Sequence, residues 1–216
     1  MEMEKKMIVV TGAGRCGTSL MMQTLHLLGI PMLGEPSNNN VLVGYDKSKD
    51  DDLTDLAKEL NPKGYWELGL EELKDKLTIG FKEETKGKAI KLFPGFFKIT
   101  NIKDIEKIII CKRKDMVEQA VSLKRSCDLE HEVCKRLNKE VPDFLKNNSY
   151  SAIKETINKN LFLMDSFTRK NSHIPKLVVY FEDITTNPKI EINRVANFCN
   201  TTTDISAATD NIDRRT

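Results

Sequence analysis

Residues 8–19 read Ile8-Val9-Val10-Thr11-Gly12-Ala13-Gly14-Arg15-Cys16-Gly17-Thr18-Ser19. The apolar run does not alternate, which suits a strand covered on both faces of a sheet. Three glycines then fall within six positions. Beyond them Leu20, Met21, Thr24, Leu25 and Leu28 repeat on one helical stripe, which Gly29 ends. Strand, glycine-rich turn and helix N-terminus in succession expose backbone N–H groups and the positive end of a helix dipole, an arrangement suited to phosphate or sulfate. The spacing from Gly12 to Ser19 is that of G-x-x-x-x-G-K-[ST], with Thr18 where the lysine belongs. Arg15 is the nearest replacement cation. Gly14, Arg15, Cys16, Gly17, Thr18 and Ser19 are therefore the candidate binding residues. The expected ligand is a phosphorylated nucleotide, handled by something other than an ordinary ATPase or kinase.

The chain has 216 residues and a net charge of +2, which predicts one domain and argues against a general nucleic-acid surface. Five cysteines, an odd number with no C-x-x-C pair, fit reduced thiols in a cytosol better than a disulfide framework or a zinc site. No metal is expected. Cys127 and Cys134 read as packing residues, and Cys16 as a small filler in the loop. The start, MEMEKKMIVV, is unlike a signal peptide, and no apolar run approaches membrane-spanning length. The expectation is a cytoplasmic protein with no membrane association. Its oligomeric state is open.

Further strands are expected at residues 88–93 (KAIKLF), 107–111 (KIIIC) and 176–181 (KLVVYF). Helices are expected at 51–60, 68–77, 115–127, 130–137, 151–169 and from Pro188 onward, with a break at Pro142. Strands separated by helices predict an α/β fold in three layers, a mostly parallel sheet flanked by helices. Residues 34–80 form an excursion from that single domain.

The stretch TGAGRCGTSLMMQTL resembles the first motif of sulfotransferases that use 3′-phosphoadenosine 5′-phosphosulfate. In the bacterial, carbohydrate and tyrosylprotein branches that motif reads roughly P-R-S-G-T-[ST]-L. Arg15, Gly17, Thr18 and Ser19 match it, while Gly14 replaces the proline and Cys16 the serine. The resemblance implies a P-loop NTPase-like sulfotransferase fold and this donor as co-substrate. Residues 14–19 would hold the 5′-phosphosulfate, with Arg15 stabilising charge on the bridging oxygen. It also implies a basic residue after a strand and a serine about eight residues on, binding the 3′-phosphate. Arg113 and Ser122 are one residue further apart than usual, and Lys114 and Ser122 have the usual spacing; Arg113 is preferred. Asn61-Pro62-Lys63-Gly64-Tyr65-Trp66-Glu67 and LVVYFEDITTNP at 177–188 resemble two further segments of the family. Arg214 and Arg215 could echo its C-terminal basic contact, though a frayed polar tail is the simpler reading.

A hydroxyl acceptor, small-molecule or carbohydrate, needs a general base. Where cytosolic members carry K-T-H, this chain has Lys91-Leu92-Phe93, and His26, His131 and His173 lie elsewhere. Glu35 and Glu67 are the carboxylate candidates, and Tyr65 and Trp66 either line an acceptor pocket or cover the core. Two rivals stand beside this reading. One is a P-loop kinase or other NTP-binding protein using Glu182-Asp183 on magnesium; the other is a catalytically idle nucleotide-binding protein.

Overall fold

The computed structural model describes residues 6–34, 86–98, 100, 102–136, 138, 140–141 and 146–213. Four strands form one sheet: β1 (Met7–Gly12), β2 (Ala89–Lys91), β3 (Ile105–Lys112) and β4 (Lys176–Tyr180). The order is β2-β1-β3-β4, and every pairing is parallel. The helices are α1 (Thr18–Leu27), α2 (Met116–Arg136), α3 (Tyr150–Lys170), α4 (Phe181–Thr186), α5 (Pro188–Cys199) and α6 (Ser206–Asp213). Short 3-10 turns at Pro94–Lys98 and Ile102–Asp104 join β2 to β3.

The non-alternating strands have the burial that their composition demands. Ile8 and Val10 of β1, with Ile109 and Cys111 of β3, pack into a cluster with Leu20, Met21 and Leu25 of α1, Ile192 and Val195 of α5, and Ala208 and Ile212 of α6. Met7 and Val9, with Ile108 and Ile110, point the other way, onto Met164 and Phe167 of α3. Period-2 alternation thus feeds two separate apolar layers, and the sheet is flanked by helices on both faces. Val9, Val10, Ile108 and Ile109 have no exposed surface. Each such burial contributes about 1.5–3 kcal/mol.

Strand β2 is shorter than the expected 88–93, because Pro94 starts a 3-10 turn. Helix α2 runs unbroken where two pieces were expected. No glycine or proline interrupts residues 115–136, and Lys124–Asp128 and Glu132–Arg136 pairs at helical spacing support the join. Phe181, expected to end a strand, is instead the first residue of α4. Helix α6 was not expected. Asp204 accepts from the Ser206 backbone N–H and hydroxyl at its start, and Ala208 and Ile212, one turn apart, are fully buried. The helices expected at 51–60 and 68–77, and the break at Pro142, lie outside the described residues.

The chain goes from β1 to β2 on one side, then crosses to β3 on the other and continues to β4. The connections leaving β1 and β3 therefore diverge, making a topological switch point at the carboxyl ends of two adjacent strands. In open parallel sheets that crevice is where ligands bind.

Candidate functional site

The loop between β1 and α1 fills this crevice. Gly14, Arg15 and Gly17 have φ of 81°, 51° and 90°. Arg15 is a non-glycine residue in the left-handed region, a conformation disfavoured without surrounding support. The glycines answer specific constraints. A Cβ on Gly12 would lie 2.2 Å from Cys16 Sγ and 2.8 Å from the Cys111 carbonyl oxygen, so only glycine lets the loop fold back over the strand ends. A Cβ on Gly17 would lie 2.9 Å from the Phe181 ring. Gly17 is also the N-cap of α1 and supplies no side chain to its first turn, which carries no acidic residue. The first N–H groups of this ten-residue helix thus lack the usual side-chain acceptor.

Two elements, α2 and β2, bring side chains to this loop. Arg15 Nε donates to Ser122 Oγ on α2 at 3.0 Å. Lys91, at the end of β2, donates from Nζ to Ser19 Oγ at 3.1 Å and also lies 5.2 Å from the Phe93 ring centroid. Gln119 of α2, 1% exposed, donates from Nε2 to the Gly14 carbonyl at 2.7 Å. The structure places Ser122, expected from the sequence to act with Arg113, on the side chain of Arg15 in the loop of residues 14–19. Lys91 is the residue the sequence reading missed. That reading saw only the lysine of an incomplete K-T-H stretch, although a lysine ending a buried strand beside a loop that lacks its own lysine was a usable signal. In space Lys91 brings a positive charge beside Ser19, next to the position that Thr18 occupies, and it is 5% exposed.

The loop thiol is not poised for chemistry. Burial pushes the Cys16 thiol up to about 11, and nearby Lys91 only partly offsets this. Burial likewise raises Cys111 well above its ordinary value. A thiolate is disfavoured at both positions, so Cys16 contributes its backbone and its volume.

The basic turn after β3 is more constrained than a solvated loop. Arg113 Nη1 donates to the Arg15 carbonyl at 3.4 Å, and its Nη2 to Glu118 Oε2 at 2.8 Å. Its guanidinium sits 4.7 Å over the Phe181 ring. Its Nε is buried 3.6 Å from Glu182 Oε1 and makes no hydrogen bond. Lys114 pairs with Asp183 and lies 5.5 Å from the Tyr180 ring. The Glu182 carboxylate accepts from the backbone N–H groups of Lys114, at 2.9 Å, and Asp115, at 3.2 Å. Burial opposes its ionisation, but those N–H groups and Arg113 together hold it below the ordinary carboxylate range. Arg113 and Ser122 therefore each contact Arg15, the first at its carbonyl oxygen and the second at its side chain.

Beyond Ser122, a groove of about 420 Å³ is lined by Lys124, Arg125, Asp128, Leu129 and Tyr150. Lys124 Nζ bonds both Asp128 oxygens, at 2.9 and 2.7 Å, and lies 5.9 Å from the Tyr150 ring. His26 and His173 are exposed, and His131 sits half-buried on α2. Glu35, Glu67, Tyr65, Trp66, Arg214 and Arg215 lie outside the described residues. Among the described residues no cluster of three or more His, Cys, Asp or Glu side chains could hold a metal ion. None of the described helices is long and apolar enough to cross a membrane.

No protein-family model matches this chain, and no curated protein sequence matches it.

Proposed function

We propose that this protein is a sulfotransferase with a P-loop-like fold. It would move a sulfuryl group from 3′-phosphoadenosine 5′-phosphosulfate to the hydroxyl, or amine, of a small-molecule or carbohydrate acceptor. The observation that carries the proposal is the Arg15–Ser122 contact beside Lys91. Residues from three elements converge on an uncapped helix N-terminus at the switch point of a parallel sheet.

The residues present fit a phosphosulfate group. Backbone N–H groups of residues 14–19 can donate to its anionic oxygens in the left-handed turn. Arg15 and Lys91 concentrate positive charge where a leaving phosphate gains negative charge, which is where electrostatic catalysis acts. Ser122 fixes the Arg15 side chain, and Arg113 fixes its backbone. The co-substrate supplies the sulfuryl group, whose sulfur the acceptor oxygen or nitrogen would attack while the bond from sulfur to the bridging phosphate oxygen breaks and adenosine 3′,5′-bisphosphate leaves. The acceptor proton passes to a carboxylate, for which Glu35 and Glu67 remain the proposed candidates. The groove lined by Tyr150 and by Lys124, which lies on the same helix as Ser122, is a described surface on which an acceptor can lie.

The magnesium kinase is the weaker reading. Glu182 and Asp183, its acidic pair, are engaged by the Lys114 and Asp115 backbone and by the Lys114 ammonium. The deciding experiment is a thermal-shift comparison of adenosine 3′,5′-bisphosphate with ATP and magnesium. Magnesium-independent stabilisation by the bisphosphate, about 2.7 kcal/mol at a hundred times its Kd, is the expected result. A shift with ATP and magnesium alone overturns the proposal.

A further inference from the structure

We infer that Glu118 sets the selectivity of this site, its carboxylate competing with a second ligand phosphate for the Arg113 guanidinium. The inference rests on the nucleotide reading above and concerns a residue to which that reading gives no role.

Arg113 has an inner and an outer side. On the inner side Nη1 reaches the Arg15 carbonyl, the planar face lies on Phe181, and Nε stands 3.6 Å from Glu182. These partners are fixed. Glu182 is anchored by two backbone N–H groups, and Phe181 is wedged against Gly17. On the outer side Nη2 is bonded to Glu118. The Glu118 side chain is 65% exposed, against 30% for Glu182. Arg113 itself is 13% exposed. The guanidinium is thus a mostly buried cation whose solvent side is covered by one displaceable carboxylate, and its Nε is a buried donor without an acceptor.

An anion approaching Arg113 from solvent meets Glu118 first. It must break the ion pair or accept a like charge beside it, and either weakens binding. Exposed pairs of this kind are weak, so the carboxylate can be displaced, but its charge lowers affinity for every phosphate that binds there. A ligand anchored by the glycine loop alone does not meet this penalty. Glu118 therefore narrows the margin by which a bisphosphate outcompetes a 5′-monophosphate.

The test is calorimetric titration of the wild-type chain and Glu118→Gln with adenosine 3′,5′-bisphosphate and, separately, with adenosine 5′-monophosphate. Glutamine keeps an oxygen for Arg113 and removes the charge; matching melting temperatures establish that the fold is retained. The expected result is bisphosphate binding roughly three- to tenfold tighter in Glu118→Gln, with monophosphate affinity unchanged. Equal bisphosphate affinity in the two proteins overturns the inference and leaves the sulfotransferase proposal standing. So does weaker binding by the variant, or an equal gain for both nucleotides. Failure of both proteins to bind either nucleotide overturns the broader reading, and this inference with it.

Discussion

Arg15 Nε and Ser122 Oγ lie 3.0 Å apart across 107 residues of sequence. Parallel pairing of β1 with β3, Val10 opposite Ile109 and Gly12 opposite Cys111, brings the two following turns side by side. The loop cation is thus held by a hydroxyl on the helix that leaves the neighbouring strand. A cation of fixed direction can stabilise charge that develops during a reaction without reorganising first.

Arg15 and Lys91 should separate kinetically. Arg15→Ala is expected to lower turnover by about 10²- to 10³-fold while changing donor affinity less, because its charge matters most in the transition state. Lys91→Met should weaken donor binding by roughly ten- to a hundredfold, the scale of one charge-assisted phosphate contact. Steady-state kinetics and calorimetry with adenosine 3′,5′-bisphosphate distinguish the two. Unchanged affinity in Lys91→Met would make that lysine a packing residue.

Glu182 should contribute to the acid limb of stability. Its folded-state carboxyl is held below the ordinary value of 4.5, so its contribution is present above that value and is lost as pH falls through the folded-state value. Melting temperature should therefore decline below about pH 4.5, and Glu182→Gln should flatten that decline while lowering stability at pH 7. Parallel pH series of thermal melts for both proteins check this. An unaltered acid limb in the variant would assign the decline to other carboxylates.

Gly17→Ala should destabilise by about 1–3 kcal/mol. The backbone there has φ of 90°, and the new methyl would meet the Phe181 ring at 2.9 Å. Chemical denaturation measures the loss. Pairing the change with Phe181→Leu should recover part of it, separating the ring clash from the backbone strain, and no recovery would leave backbone strain as the whole effect.

Glu35→Gln should slow a verified sulfotransfer reaction by roughly 10²- to 10⁴-fold with donor affinity nearly unchanged. Glu67→Gln is the paired comparison, and a large loss there alone moves the base to that residue. If neither change slows turnover, the proton leaves by a route without these carboxylates.

The parallel sheet was legible because Ile8-Val9-Val10 and Ile108-Ile109-Ile110 are continuous apolar runs, a pattern that requires cover on both faces. The loop was legible because its glycines stand where only glycine fits. Lys91 was not, since its role depends on β2 lying beside β1, with Val10 opposite Lys91, which brings its ammonium to Ser19 across 72 residues, a contact that no local pattern announces. The turn at Arg113 was half legible. Three successive cations were visible, but their partners Asp165, Glu118, Glu182 and Asp183 come from three different helices. Helix α6 went unseen because two buried residues, Ala208 and Ile212, are too few to set a period.

Ser19 and Arg15 meet Lys91 and Ser122 only when β1 is flanked by β2 and β3 at once. The crevice is thus built from distant stretches rather than from one local fragment, so it is expected to form late in assembly. A ligand gripping it holds the finished sheet together and has little to grip in the folding transition state. Such a ligand should lengthen the lifetime of the native protein by slowing its unfolding, and leave the speed at which the chain refolds nearly as it was.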